Sequence, residues 1–281
     1  MKRTPKPRTK FTGESAFVAS LNDWQFGKDA GGGTAATLER LDGFFDMAVD
    51  RAKDLGKRNL GELVVLGGGD MVEGCAIYPN QERQIDLDRR AQATHATTAI
   101  VDFLDRMAPM FDRVRVLVVG GNHGEYRVNG KRINRHDNDD CKVFEDAARE
   151  LSRDPKLQHV SFTIANEQPA LTIDIQGHIV AMTHGNVYGK GKGQTPDMKA
   201  YEWYKNMAAA HHPVGDATLL VGNHFHHDLL KNWGNLLFVQ TPAADGGSPE
   251  FGDYSGTDCP AGMSTWVMNA KSRFRDYEVL R

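Results

Sequence analysis

The sequence has few cysteines and lacks any long apolar run, and both absences narrow the class of protein. Only three cysteines, Cys75, Cys141 and Cys259, occur among 281 residues. Their odd number and wide spacing predict neither a disulfide framework nor a Cys-x-x-Cys metal site. No apolar stretch approaches the roughly 18 residues that a membrane-spanning helix needs. The basic N-terminus has no apolar core behind it, so we expect no secretory signal and a reducing, cytoplasmic setting.

The chain as a whole also lacks a large excess of positive or negative charge. The net charge is −3, and 40% of the residues are hydrophobic and 25% charged, as in ordinary soluble globular proteins. This balance creates no global field that would draw the protein to nucleic acid or to a membrane. Locally, residues 1–10 carry five cations, two prolines and no acid. We expect residues 1–14 to form a basic, disordered tail, with a nucleic-acid arm as the alternative, and residues 15–281 to form a single domain.

Short apolar runs and helical stripes alternate through most of the chain. Strands are predicted at residues 16–21, 62–66, 114–119, 160–164, 171–175, 179–183, 217–221, 236–240, 264–268 and 273–279. Helices are predicted at residues 37–55, 85–107, 141–151 and 197–210, and a polar loop at residues 127–140. These elements leave several groups of polar residues directly after strands.

The stretch at residues 63–74 reads Leu-Val-Val-Leu-Gly-Gly-Gly-Asp-Met-Val-Glu-Gly. Three glycines stop the predicted strand, and Asp70 follows on a turn with no side chains to block access. Open α/β sheets place their ligands at this end of a strand. Taken alone, Asp70 is more readily explained as the cap of a turn or of a following helix.

Five predicted strands end in groups that can bind a metal ion. These groups are Asp23 with Gln25, Asp70, Asn122 with His123, His184, and His224 with His226. Because strand ends of a parallel or mixed sheet lie along one edge, residues far apart in sequence can converge there. The set offers oxygen and imidazole but no thiolate, which suits Mn²⁺, Fe, Zn²⁺ or Ni²⁺. This set exceeds the need of one tetrahedral ion and suits two ions that share a bridging carboxylate.

Over about residues 16–230, these groups resemble the ordered motifs of the calcineurin-like metallophosphoesterases. The matching motifs are Asp23-x-Gln25, Gly69-Asp70-x-x-Glu73-Gly74, Gly121-Asn122-His123-Gly124-Glu125, Thr183-His184-Gly185 and Gly222-Asn223-His224-x-His226. The resemblance implies an α/β fold with two facing mixed β-sheets flanked by helices, a four-layer sandwich. It also implies that the metal ions lie at the carboxyl ends of the strands.

The resemblance further implies a role for each candidate residue. Asp70 would bridge two divalent ions, Mn²⁺ by preference. The first ion would also take Asp23, Gln25 and His226, and the second Asn122, His184 and His224. His123 would contact the phosphate together with Asn122, and protonation of the leaving oxygen is its expected catalytic role.

Two departures from the family pattern affect these expectations. Gln25 stands where the family has histidine, and an amide oxygen is a weaker ligand than imidazole, so we expect a loose first site. Asn223 separates Gly222 from His224, whereas the family motif is Gly-His-x-His. We retain His224 and His226 as ligands because their spacing survives, with His227 as the alternative.

The expected activity is hydrolysis of a phosphodiester, and the resemblance points to the nuclease branch that contains the double-strand-break repair exonucleases. The Gly-Asn-His-Gly-Glu motif, the polar loop and the basic tail favour DNA as the substrate. The net acidity disfavours a large DNA footprint. Small phosphoesters such as nucleotides or cyclic nucleotides are the alternative, and a metal-binding regulatory protein without catalysis is the third hypothesis. We expect no membrane partner and leave a homodimer and a partner ATPase open.

Overall fold

The computed structural model describes residues 10–188, 194–247 and 259–281. The strands are β1 Ser15–Leu21, β2 Leu60–Gly67, β3 Arg113–Val119, β4 Arg127–Val128, β5 Lys131–Arg132, β6 Val160–Ala165, β7 Ala170–Ile175, β8 His178–Thr183, β9 Leu219–Gly222, β10 Leu229–Trp233, β11 Leu236–Gln240, β12 Met263–Asn269 and β13 Ser272–Leu280. The α-helices are α1 Gly33–Asp54, α2 Arg89–Met107, α3 Asp139–Leu151 and α4 Pro196–Ala209.

The strands form two large mixed sheets and one small hairpin. The six-stranded sheet has the order β13-β12-β1-β2-β3-β6, in which β1, β2, β3 and β6 run parallel. The five-stranded sheet has the order β10-β11-β9-β8-β7, in which β11, β9 and β8 run parallel. In both sheets the remaining strands pair antiparallel, and β4 pairs with β5 to form the separate hairpin.

The two large sheets face each other across a buried apolar layer. Val64 and Leu117 of the six-stranded sheet lie in the same cluster as Val180, Leu219 and Val239 of the five-stranded sheet. On their outer faces, the six-stranded sheet packs against α1, α2 and α3, and the five-stranded sheet packs against α4. The predicted arrangement of two facing mixed sheets flanked by helices is confirmed.

Burial on both faces explains why β2 is a continuous apolar run rather than an alternating one. Leu63 and Val65 point to the helices, whereas Val64 and Leu66 point to the second sheet. All four side chains are at most 1% exposed. Gly67 closes the strand against the ring of Phe144, which would clash with any Cβ there. This packing fixes the position at which β2 ends and the loop that carries Asp70 begins.

The packed domain begins earlier than the sequence predicts. Phe11 is only 7% exposed, and its ring centroid lies 5.2 Å from that of Phe111. Lys10 forms an ion pair with Asp112. The described end of the predicted tail is thus attached to the domain, and residues 1–9 of that tail lie outside the described residues.

Other elements also differ from the sequence prediction. The second helix begins at Arg89 rather than at residue 85, because the Asp88 carboxylate accepts the backbone N–H of Ala91 and caps the helix there. The hairpin β4–β5 lies inside the predicted polar loop. Strand β10 was not predicted, since this edge strand is largely exposed and carries Lys231 and Asn232 in its middle.

Candidate metal centre

The predicted polar groups follow the carboxyl ends of five strands drawn from both sheets. Asp23, Asp70 and Asn122 follow β1, β2 and β3 of the six-stranded sheet, and His184 and His224 follow β8 and β9 of the five-stranded sheet. The centre therefore lies where the facing sheets present their strand ends together.

Three of the predicted ligands converge closely enough to hold one ion. One ligand atom from each of Asp70, His184 and His224 lies within 4.8 Å of the other two. The imidazole Nε2 of His184 is 2.9 Å from Asp70 Oδ2, and the rings of His184 and His224 are 5.0 Å apart between centroids. Such a cluster of one carboxylate and two imidazoles suits a borderline divalent ion.

The opposite nitrogen of His184 fixes which atom can act as a ligand. His184 Nδ1 lies 2.8 Å from the carbonyl oxygen of Gly68, so Nδ1–H donates to that oxygen and Nε2 is directed at the centre. Metal-binding histidines are commonly oriented in this way. The Gly68 carbonyl thus sets both the tautomer and the orientation of the ring.

Several buried atoms at the centre make no hydrogen bond. Among the described residues these atoms include Asp23 Oδ1, Asp70 Oδ2, Asn122 Oδ1 and His184 Nε2. Asp70 Oδ2 and His184 Nε2 are close, but they do not have the geometry of a hydrogen bond. Because buried polar atoms nearly always have a partner, these atoms together indicate a binding site for a ligand. The donor set fits a divalent cation.

The electrostatics of the cluster centre on Asp70. Burial raises the pKa of Asp70, but the adjacent His184 and His123 outweigh this effect and hold that pKa well below its usual range. Burial and the nearby His184 lower the pKa of His224 to about 4. The Asp70 carboxylate is therefore an anion and the His224 imidazole is neutral near pH 7. Burial lowers the pKa of His184, but the charge of Asp70 outweighs this effect and raises that pKa to about 9.

Backbone strain is concentrated at the same residues. Positive φ angles between 46° and 74° occur at the non-glycine positions Asp23, Gln25, Asp70, His224 and His226. Residues other than glycine rarely adopt this backbone conformation. Each such residue lowers the stability of the fold by roughly 1–3 kcal/mol unless its surroundings compensate. Five of the seven predicted ligands are held in this way, which indicates a functional constraint on their placement.

The residues predicted for the first ion form a second group beside the cluster. His226 Nε2 is 3.3 Å from Asp23 Oδ1, and His226 Nδ1 is 3.4 Å from Asp245 Oδ1. Asp245, which was not identified from the sequence, is buried in the loop after β11. Its position opposite a ligand histidine depends on a contact across the fold that no local pattern reveals.

Gln25 is placed at the centre, but its oxygen is already engaged. Gln25 Oε1 accepts a hydrogen bond of 3.0 Å from Lys28 Nζ, and Lys28 also pairs with Asp245. The amide Nε2 of Gln25 lies 3.5 Å from His123 Nε2. The amide therefore directs its nitrogen towards His123 and its oxygen towards the lysine.

His123 is oriented by a separate set of contacts. Its Nδ1 is 2.9 Å from the carbonyl oxygen of Glu73 and 3.3 Å from Glu73 Oε2, and its backbone N–H donates to Asp70 Oδ1 at 2.8 Å. Burial lowers the pKa of His123, but the charge of Asp70 and the bonds to Glu73 outweigh it and raise that pKa to about 9. His123 thus sits beside the cluster with a proton held against Glu73.

Asp140 supports two of the ligand loops and was not identified from the sequence. This fully buried carboxylate accepts backbone N–H groups from Asp70 at 3.0 Å, Met71 at 2.8 Å and Gly121 at 2.9 Å. One side chain therefore joins the loop after β2 to the loop after β3. In the sequence, Asp140 looks like one of the acidic residues that are common in the first turn of a helix.

The residue that departs from the family's last motif also has a structural role. Asn223 Nδ2 donates to the carbonyl oxygens of Gly68 and Thr183, at 3.1 and 3.4 Å. This side chain therefore joins the loop after β2 to the end of β8. His227, the alternative ligand, contacts the Phe225 carbonyl through Nδ1 at 2.9 Å and does not belong to the three-residue cluster.

Comparisons with known proteins find neither a family model nor a curated protein that matches the chain. Among solved structures, the chain is similar to an archaeal phosphodiesterase, with 11% identity, coverage of 94% of this chain and 99% of that one, and a TM-score of 0.41. It is similar to Vps29 from Entamoeba histolytica in complex with zinc, with 11% identity, coverage of 94% and 98%, and a TM-score of 0.36. It is also similar to a predicted phosphoesterase from Streptococcus pneumoniae, with 11% identity, coverage of 66% and 90%, and a TM-score of 0.34. At 11% identity and TM-scores of 0.34 to 0.41, these similarities are distant.

Among the described residues, no helix has both the length and the apolar character required to cross a membrane.

Proposed function

We propose that the protein is a metal-dependent phosphodiester hydrolase. The observation that supports this most directly is the group of buried atoms without a hydrogen bond on Asp70, Asn122 and His184 at the strand ends. The Asp70, His184 and His224 cluster would hold a divalent ion together with Asn122. Mn²⁺ is our preferred ion for this mixed oxygen and imidazole set, with Fe, Zn²⁺ or Ni²⁺ as alternatives. When bound, such an ion supplies Lewis-acid chemistry to a phosphate ester.

His123 is the residue that we propose as the general acid. Its Nδ1–H is held by Glu73, and its Nε2 lies 3.5 Å from the amide nitrogen of Gln25. The raised pKa of about 9 keeps the imidazole protonated near neutral pH. We propose that a proton on Nε2 is available to a leaving oxygen and that Asn122 contacts the phosphate.

We propose DNA as the substrate, within the nuclease branch that includes the double-strand-break repair exonucleases. The hairpin β4–β5 supports this choice, because residues 126–135 carry Arg127, Lys131, Arg132 and Arg135 and no acid. Tyr126 in the same segment is 45% exposed. Cations with an exposed aromatic ring are typical of surfaces that bind a nucleic-acid strand.

A specific contact favours the alternative of a small phosphoester. Glu125 forms ion pairs with Arg127 at 2.8 Å and with Arg132 at 3.0 Å, which reduces the charge that the hairpin offers to DNA. The net charge of −3 also limits a large DNA footprint. A nucleotide or cyclic nucleotide would need fewer phosphate contacts.

The experiment that tests the function offers the purified protein with Mn²⁺ a phosphodiester dye ester, a phosphomonoester dye ester, labelled single- and double-stranded DNA, and cyclic nucleotides. We expect cleavage of DNA and of the diester dye, with loss of both after chelation and recovery when Mn²⁺ is restored. Cleavage of cyclic nucleotides without DNA would favour the small-substrate alternative. Turnover that persists at a metal content near zero would contradict the proposal.

All three cysteines, Cys75, Cys141 and Cys259, belong to the described residues and are free thiols. This state supports a reducing, cytoplasmic location, which we add to the proposal.

A further inference from the structure

Lys28 extends into the group of residues that the sequence predicts for the first metal ion. Its Nζ donates to Gln25 Oε1 at 3.0 Å and forms an ion pair with Asp245. The lysine side chain is 18% exposed and that of Asp245 is 4% exposed. The backbone N–H of Lys28 also donates to the Gln25 carbonyl oxygen at 3.0 Å, so a tight turn holds the two residues together. The ammonium group is therefore a fixed part of this site.

The ammonium group of Lys28 occupies the side-chain oxygen of Gln25, which was expected to be a ligand of the first ion. The oxygen of Gln25 is its only atom that can coordinate a metal, because an amide nitrogen has no free lone pair. That oxygen accepts from Lys28 instead. Asp245, the second partner of Lys28, in turn contacts His226 Nδ1 at 3.4 Å. Lys28 thus engages one predicted ligand directly and a second one through a shared carboxylate.

The acidic residues around the predicted first site already have a cation beside them, the Lys28 ammonium group. Asp23 Oδ1 faces His226 Nε2 at 3.3 Å, and Asp245 lies on the other side of the same ring. The lysine already supplies a positive charge to this acidic pocket. A divalent ion beside this ammonium group would be repelled by it.

We infer that the Lys28 ammonium group takes the place of the first metal ion, so that the protein binds a single divalent ion at Asp70, Asn122, His184 and His224. This inference rests on the proposed function, since it concerns the metal content of the same centre. It departs from the two-ion expectation of the sequence analysis. Gln25 stands where the family motif has histidine, and Lys28 binds its oxygen. The two residues therefore change the first site together.

The inference predicts that two substitutions together restore a second ion. Lys28→Met removes the charge while keeping a side chain of similar length, and Gln25→His restores an imidazole ligand. We expect one ion per chain in the native protein and two in the double variant. Lys28→Met alone should bind a second ion more weakly, and Gln25→His alone should gain little because the ammonium group remains.

The measurement is Mn²⁺ titration by calorimetry, together with the metal content of desalted protein by mass spectrometry. The second ion of the double variant should bind about 10- to 100-fold more tightly than any second ion in the native protein. Lys53→Met is the matched control, because Lys53 pairs with Asp50 at the protein surface. This control should bind one ion, as the native protein does.

The native protein also gives a test that needs no variant. Electron paramagnetic resonance after loading with excess Mn²⁺ should show an isolated Mn²⁺ signal rather than that of a spin-coupled pair. Two tightly bound ions in the native protein would overturn the inference and leave the proposed function intact. A folded double variant that still binds one ion would also overturn it. No bound ion in the native protein would overturn both the inference and the proposed function.

Discussion

Asp70 Oδ2 lies 2.9 Å from His184 Nε2, although the two residues belong to different sheets. Each side chain is fixed from behind. The Gly68 carbonyl accepts from His184 Nδ1, and the backbone N–H of Asp70 donates to Asp140. The approach of carboxylate and imidazole is thus set by the Gly68 carbonyl and the Asp140 carboxylate. A centre built in this way is preorganised before any ion binds.

Asp70→Asn should remove most of the activity and lower the metal content. The anionic carboxylate is the central charge of the cluster, and a neutral amide cannot offset the charge of a cation as well. We expect a loss of roughly 100-fold or more in kcat/KM and weaker Mn²⁺ binding by calorimetry. Asp46→Asn is the matched control, because Asp46 is a surface partner of Arg106 and should leave both quantities unchanged. A normal rate with normal metal content would show that Asp70 is only a turn residue.

His123→Ala should keep its metal content but lose rate. No described contact places His123 in the three-residue cluster, and its proposed role is to hold a proton for the leaving oxygen. The expected loss in kcat is about 10²- to 10⁴-fold for esters with poor leaving groups and much smaller for activated dye esters. The check compares the two kinds of ester and the bound metal in the same preparations. A fall in metal content equal to the fall in rate would make His123 a ligand.

Asp140→Asn should weaken both the metal-free fold and metal binding. The amide replaces one acceptor oxygen of a carboxylate that receives backbone N–H groups from Asp70, Met71 and Gly121. We expect a loss of about 1–3 kcal/mol in the free energy of unfolding by urea. Metal affinity should fall about 10- to 100-fold. Asp146→Asn on the exposed side of the same helix serves as the control, and equal effects of both variants would contradict a positioning role for Asp140.

Lys131→Gln with Arg135→Gln should affect DNA and small esters differently. If the hairpin binds the DNA backbone, KM for DNA should rise several-fold and the salt dependence of binding should fall by about one for each lost phosphate contact. The rate with a diester dye should not change. Arg153→Gln with Lys156→Gln removes two exposed cations elsewhere and is the matched control. Equal effects on DNA from both pairs would leave only a general charge effect.

Much of the site could be predicted because strands and glycines mark its position in the sequence. The strand before Asp70 is apolar on both faces and ends at glycine, so the position of the carboxylate at a sheet edge follows from the local pattern. The same reasoning located His184 after β8. Since each ligand follows its own strand directly, their convergence required only that the strand ends share an edge.

The supporting residues could not be predicted, because their roles depend on contacts between distant segments. Asp245 reaches Lys28 over 217 positions in sequence. Asp140 resembles a helix-start residue, and only the fold brings it beneath the Asp70 loop. The edge strand β10 escaped detection for a related reason, since exposure to solvent removes the apolar pattern by which strands are recognised.

Five candidate ligands have a left-handed backbone conformation, which lowers the stability of the fold at the residues that bind the metal. Glycine adopts these dihedral angles at little steric cost, whereas His224 and Asp70 hold them only because the surrounding fold compels it. A glycine at such a position would relax the backbone and at the same time delete a metal ligand. Selection for thermal stability alone would therefore act against the metal ligands at these positions.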